Sequence, residues 1–222
     1  MGQEPCSAEV KLLLAAGNAK AVAQAFDAGQ PSTGRVFLYD TGARDLLAHG
    51  IILRVRQGEN SDVTVKLRLR AKKAITASAG DHGRFKCEVD YAGGNPAYSY
   101  SERTKLNAEV PKTGADLFGR LAESQRQLLS QSDYVIDWTK VKRVADIQST
   151  AWSITKQPPF DKLDLELWEW PGGSVLELST KSDSASLHAT YDQLRSLAAG
   201  KGLALNSTQQ FKTELVLQKS SK

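Results

Sequence analysis

Residues 51–70, IILRVRQGENSDVTVKLRLR, decide how this chain is read. Divided at the turn signal QGENSD, the stretch leaves two strand-like runs. In the first, Ile52, Arg54 and Arg56 share one parity and Ile51, Leu53 and Val55 the other. In the second, Thr64, Lys66, Arg68 and Arg70 alternate with Val63, Val65, Leu67 and Leu69. Successive strand side chains point to opposite faces, so each run predicts one cationic and one aliphatic face. Counting Lys72 and Lys73, residues 51–73 carry seven cations against Glu59 and Asp62, which the pattern places in the turn. Like charges opposed across strands repel, so something must offset their alignment. Two architectures do so. An open antiparallel sheet leaves the basic face in solvent. A closed barrel puts the charged faces inside, which is costly unless the interior is wet and takes a highly charged ligand.

The flanking sequence extends the pattern. In SAEVKLLL (7–14), Glu9 and Lys11 oppose Ala8, Val10 and Leu12. NAKAVAQAFDAG (18–29) predicts a helix, with Asn18 as N-cap and Gly29 as stop. GRVFLYDT predicts a strand, followed by a short amphipathic stretch, ARDLLAHG. In GRFKCEVDYAG (83–93), Phe85, Cys87, Val89 and Tyr91 alternate with Lys86, Glu88 and Asp90. Residues 93–114 carry loop signals without periodicity, and 115–131 read as one amphipathic helix with Leu117, Phe118, Leu121, Leu128 and Leu129 inward. Residues 134–154 read as extended chain. KLDLELWEW and SVLELSTK, joined by PGG, predict a hairpin. A helix with Leu187, Tyr191, Leu194 and Leu197 on one stripe follows, and the tail STQQFKTELVLQ suits a strand or a short helix. The expected class is α+β and mostly antiparallel, with about eight strands, as one domain over residues 1–222.

Composition narrows the functions. Hydrophobic residues at 41% and charged residues at 24% fit a globular chain, and a net charge of +4 favours anionic partners without specifying nucleic acid. The basic strands lack the interleaved aromatics of a base-stacking platform, which disfavours nucleic acid further. Trp138, Trp152, Trp168 and Trp170 are read as core and rim aromatics. No run of 18 apolar residues is present, and the start MGQEPCSAEV lacks the features of a signal peptide. Cys6 and Cys87 are read as two idle thiols of a reducing compartment, so the expected location is cytoplasmic. His49, His82 and His188 lack metal-ligand spacing, and there is no GxSxG elbow for acyl-enzyme chemistry.

VFLYDTGARDLLAHGIILRVRQGENSDVTVKLRLR resembles the CYTH domain, whose members are also called triphosphate tunnel metalloenzymes. The matching segments are Tyr39-Asp40-Thr41, Leu47, Gly50, Leu53-Arg54-Val55-Arg56 and Thr64-Val65-Lys66-Leu67-Arg68. The resemblance is strong over residues 36–91, plausible over 7–14 and 162–200, and weak over 93–160. It implies an antiparallel eight-stranded β-barrel, or tunnel, with helices packed outside. It also implies a triphosphate or polyphosphate ligand held by Lys11, Arg54, Arg56, Lys66, Arg68, Lys142 and Lys181. Lys142 is preferred to Arg143, whose parity is shared by Val141 and Ile147. Mg²⁺ or Mn²⁺ is expected on Glu9, Glu88, Glu166 and Glu177, with Glu9 and Glu177 close enough to share an ion. Glu9, Lys11 and Glu177 are the expected catalytic residues.

The chemistry is consistent: forked guanidinium groups match phosphate oxygens, and hard divalent cations prefer carboxylates. The chain departs from the pattern at two acids. The first-strand motif Glu-x-Glu-x-Lys reads Ser7-Ala8-Glu9-Val10-Lys11, and a late Glu-x-Glu reads Glu177-Leu178-Ser179. Asp90 and Asp164 join Glu88 and Glu166 as acids that can compensate. The expected function is metal-dependent triphosphatase hydrolysis of inorganic or organic triphosphate. The alternative is a binding module for polyphosphate or a phosphorylated ligand, with a degenerate metal site.

Overall fold

The two basic runs form adjacent paired strands of the structure. In the computed structural model, which describes residues 6–15, 17, 19–69, 72, 75 and 85–220, β3 (Ile51–Gln57) pairs antiparallel with β4 (Asp62–Leu69) from Ile51↔Leu67 to Arg56↔Asp62. Asn18, Arg70, Lys73 and His82 lie outside the described residues. The other strands are β1 (Ser7–Leu14), β2 (Ser32–Asp40), β5 (Lys86–Ala92), β6 (Asn95–Lys105), β7 (Lys142–Gln157), β8 (Phe160–Trp170) and β9 (Gly173–Ser182). The helices are α1 (Ala19–Ala25), α2 (Asp45–Ala48), α3 (Gly114–Arg120), α4 (Glu123–Leu129), α5 (Leu187–Gly200) and α6 (Lys212–Lys219).

The strands form a closed barrel in the order β1-β5-β6-β4-β3-β2-β7-β8-β9. The class is α+β, as expected, but the barrel has nine strands among the described residues and is mixed. β1 runs parallel to β5, with Ser7↔Glu88 and Glu9↔Asp90 as partners. The additional strand is β6, in the stretch read as loop. Asp62 also differs from expectation, being the buried first residue of β4 rather than part of the turn.

The chain divides into two compact units. One comprises Met1–Thr33, Glu88–Pro96 and Gln148–Leu215. Its aliphatic strand faces supply Val10, Leu12, Leu163, Leu165, Leu176 and Leu178, which cluster with Val22 and Phe26 near α1 and Tyr191 and Leu194 of α5. Full burial of such a side chain is worth roughly 1.5–3 kcal/mol, so this face accounts for the attachment of the helices.

The second unit comprises Gly34–Cys87, Ala97–Ile147 and Val216–Lys222. Leu53, Val55, Val63, Val65 and Leu67 pack with Leu117, Leu121, Leu128 and Leu129 of the α3–α4 region. The helix expected over 115–131 is two helices, because Leu121 is extended at φ −70°, ψ 131°. The Arg126 guanidinium donates to the Leu121 carbonyl at 2.7 Å, satisfying the broken end. Gln125, fully buried, donates to the Val63 carbonyl at 2.9 Å and accepts from the Ala122 amide at 3.0 Å, which fixes α4 to β4. Gly50 adopts φ 71°, and a Cβ there would lie 2.2 Å from the Arg68 carbonyl oxygen, so the chain needs glycine before β3.

The chain's cysteines are not idle thiols. Both Cys6 and Cys87 are disulfide-bonded, and they immediately precede the paired residues Ser7 and Glu88. Among the described residues no helix is long and apolar enough to cross a membrane.

Candidate metal and phosphate centre

Direct partners in a ladder share a face, so the register assembles the site of the first unit. Glu9 stands between Asp90 on β5 and Lys181 on β9. Lys11 stands opposite Ser179, Leu13 opposite Glu177, and Glu177 opposite Glu166 on β8. Glu9, Lys11, Glu88, Asp90, Glu166, Glu177 and Lys181 therefore share one face. They gather into two clusters along it.

The first cluster is Glu9, Glu88 and Asp90, each with a carboxylate oxygen within 4.8 Å of the others'. The Lys11 ammonium lies 2.9 Å from Glu9 and 2.5 Å from Asp90. The Lys181 ammonium lies 2.7 Å from Glu88 and 3.4 Å from Glu9. Burial alone would push the Glu9 carboxyl up, but the Lys11 and Lys181 charges outweigh it and hold it at about 2. Burial likewise disfavours the Lys181 ammonium, while the Glu9 and Glu88 carboxylates raise its pKa above the ordinary value. Three converging carboxylates with two ammonium groups leave one negative charge, and all-oxygen donors suit a hard divalent cation. The donor set thus fits such a metal. Asp90 is fully buried and belongs to this set, although the sequence marks it only as a compensating acid.

The second cluster is Glu166, Glu177 and a residue that the sequence pattern does not single out, Lys212 of α6. The Lys212 ammonium contacts Glu166 and lies 2.7 Å from Glu177. Glu166 also accepts from Trp168 Nε1 at 2.7 Å and Ser149 Oγ at 2.8 Å. Burial raises the Glu166 carboxyl, but Lys212 and these donors bring it down to about 2.

Glu9 and Glu177 were expected to share an ion, and the register separates them. Glu9 faces Lys181 and Glu177 faces Leu13, four positions along β1. At a strand rise of about 3.3 Å per residue their backbone positions are offset by roughly 13 Å, and the two carboxylates fall in different clusters. Each is instead ion-paired to lysine. Ser7 is exposed beside Glu88, and Ser179 is buried opposite Lys11 and Asp164.

In the second unit the cationic face is built as the alternation predicts. Arg54 pairs with Thr64, Lys66 with Ser101, and Arg68 with Ser99, so the face continues onto β6. Arg103, opposite Thr64, and Lys105, opposite Asp62, extend it; both lie in the stretch read as loop. Asp62 tempers the face, since its carboxylate lies 3.5 Å from Arg56 Nε and accepts from Thr64 Oγ1 at 2.9 Å. Lys142 is exposed, whereas the Arg143 guanidinium lies 5.2 Å from the centre of the Phe37 ring, on the aliphatic side.

Part of the 36–91 resemblance proves to be scaffold. Asp40 is fully buried, and its carboxylate accepts from the Thr41, Leu46 and Leu47 amides at 2.7, 2.9 and 3.1 Å. Tyr39 donates to the Pro111 carbonyl at 2.6 Å, and Thr41 Oγ1 donates to Asp45 at 2.7 Å. These residues hold the turn into α2.

No protein-family model matches the chain, and no curated protein matches it significantly in sequence. Solved structures do match. HpAC1 from Hippeastrum, nominally an adenylyl cyclase with a dominant triphosphatase activity, superposes with a TM-score of 0.62 at 13% identity, over 95% of this chain and 94% of that one. A Bacillus halodurans protein, nominally an adenylate cyclase, gives 0.56 at 14% identity, over 94% and 96% of the two chains. PH1819 from Pyrococcus horikoshii OT3 gives 0.52 at 15% identity, over 95% and 99%. At these identities the likeness is one of fold: the chain shares the barrel fold of these proteins, in agreement with the resemblance carried by residues 36–91.

Proposed function

We propose that the protein hydrolyses a triphosphate-containing substrate, inorganic or organic, with Mg²⁺ or Mn²⁺ as cofactor. The observation that carries this reading is the Glu9–Glu88–Asp90 cluster with Lys11 and Lys181 on its oxygens. The dominant triphosphatase activity of the Hippeastrum protein, which shares the fold, supports it.

Glu9, Glu88 and Asp90 would hold the metal. The metal would neutralise charge on the phosphoryl group and polarise a water for attack. As they stand, Lys11 and Lys181 offset two of the three negative charges. With a divalent cation on those oxygens the two ammonium groups become donors for phosphate oxygens, at a point where both are already ordered. Arg54, Arg56, Lys66 and Arg68 are assigned to further phosphate oxygens, where charge-assisted and forked contacts are strongest. Lys142, exposed, is assigned to the same class. Asp90, buried and bonded to Lys11, positions the ammonium as well as ligating. Glu166 and Glu177 have a different role, taken up below.

Incubation with tripolyphosphate and Mg²⁺ or Mn²⁺, with release of phosphate followed, tests the reading. Release should exceed that of the double variant Arg54→Ala/Arg56→Ala, and equal rates would refute it. The lysine locks on Glu9 and Glu177 favour a second reading, in which the chain captures a polyphosphate or phosphorylated ligand without turnover. Tight binding of tripolyphosphate in EDTA, measured by calorimetry, without release in either metal, would select it.

A further inference from the structure

Glu166 and Glu177 are direct partners on β8 and β9, a placement from which two carboxylates can ligate one ion. Lys212 stands on both of them instead. Its side chain is 12% exposed, and its ammonium lies 4.8 Å from the centre of the Trp168 ring. One ammonium answers one of the two negative charges. The remainder is visible in the geometry: Glu177 is 4% exposed, and its Oε2 is buried without a hydrogen-bond partner. A buried carboxylate oxygen left this way is costly, and a divalent ion would satisfy it where a monovalent one does not.

Lys212 is held in place by the segment before it. Gln209 donates to the Leu13 carbonyl at 2.7 Å and accepts from the Leu13 amide at 3.0 Å, and the Asn206 amide donates to the same carbonyl at 2.9 Å. Leu13 is the residue opposite Glu177, so the chain leading into α6 is anchored one strand from the carboxylate that Lys212 serves. The Gln209 carbonyl oxygen lies where a Cβ on Gly93 would be 2.2 Å away, so that approach depends on glycine.

We propose that Lys212 is a resident counter-ion that occupies a latent divalent-cation site formed by Glu166 and Glu177, and so limits metal binding in this chain to the Glu9–Glu88–Asp90 cluster. The assignment of the first cluster rests on the function proposed above; the assignment of Lys212 does not. A neutral side chain of similar length at position 212 removes the ammonium and leaves two facing carboxylates, whose repulsion a divalent ion relieves.

The test is Mn²⁺ titration of the full chain by calorimetry, comparing wild type with Lys212→Met, Lys212→Arg and Lys212→Met/Glu177→Gln. Lys212→Met should bind one more Mn²⁺ than wild type, and Mn²⁺ should raise its melting temperature more than that of wild type, since a ligand stabilises the state that binds it. Lys212→Arg keeps the charge and should bind the wild-type number. The double variant should lose the added ion. The count is a difference, so it holds even if wild type binds no metal at the first cluster; in that case the proposed function fails and this inference stands. If Lys212→Met does not fold alone, it should be refolded with Mn²⁺ present. Failure to gain an ion, or failure to fold even then, overturns the proposal.

Discussion

Glu9 and Asp90 stand side by side on the parallel strands β1 and β5, and one ammonium group, that of Lys11, lies on both carboxylates. This is the one parallel pairing among the ladders described, and it turns a sequence motif into a three-carboxylate cluster. Glu9 shares its strand with Lys11, while Glu88 and Asp90 arrive from β5, Asp90 standing 79 positions beyond Lys11 in the chain.

The ion pairs make stability depend on acid pH. Glu9 and Glu166 each fall from an ordinary 4.5 to about 2 in the folded chain. A depressed carboxylate stabilises the fold above its unfolded pKa, and that contribution is lost as pH falls through the folded value. At about 1.4 kcal/mol per unit, the shift corresponds to roughly 3 kcal/mol per carboxylate as an upper figure. Denaturant unfolding should therefore show the margin between wild type and Glu9→Gln narrowing as pH drops from about 4.5 towards 2. A margin that stays constant or widens would contradict the ion-paired geometry.

Asp40 should matter for stability. Its carboxylate accepts three backbone amides, of Thr41, Leu46 and Leu47, in a fully buried position. Asp40→Ala orphans those donors and should cost about 3 kcal/mol in denaturant unfolding, with Asp40→Asn recovering part of the loss through its carbonyl oxygen. A loss under about 0.5 kcal/mol for Asp40→Ala would show that the turn into α2 does not depend on the carboxylate.

Ser7 offers a gain-of-function test. It is exposed and is the ladder partner of Glu88, whereas Ser179 is buried opposite Lys11. Ser7→Glu adds a carboxylate beside the cluster without burying an unpaired charge. Mn²⁺ affinity should rise by about tenfold, or about 1.4 kcal/mol, with the melting temperature unchanged. Unchanged affinity in a folded Ser7→Glu protein would place the metal elsewhere.

What the sequence made legible follows from which faces are buried. β3 and β4 alternate cleanly because each sets aliphatic residues against α3 and α4 and polar residues on the other side. The limits of β1, Ser7–Leu14, agree with the expected 7–14 for the same reason. β6 stayed hidden because NPAYSYSERTK sets Tyr98, Tyr100, Glu102 and Thr104 on one face and Ala97, Ser99, Ser101 and Arg103 on the other, and begins beside a proline, so neither face reads as aliphatic. The break between α3 and α4 has no glycine or proline at Leu121–Ala122; side chains of Arg126 and Gln125 cap it instead. At the site, Glu9, Lys11 and the β3–β4 cations were legible through motif and parity. Lys212 was not, because its partners Glu177 and Glu166, the latter 46 positions away, sit on strands whose pairing with the tail no local pattern announces.

The central claim is that Glu9, Glu88 and Asp90 hold a divalent cation that serves triphosphate hydrolysis. The most direct measurement is phosphate release from tripolyphosphate in Mn²⁺ by wild type and Asp90→Asn, with melting temperatures recorded for both. The account predicts release by wild type and a loss on the order of 100-fold in Asp90→Asn that still folds, because a ligand and the anchor of Lys11 are removed together. Equal release by the two proteins, or no release by a wild type that binds tripolyphosphate in EDTA, would contradict it.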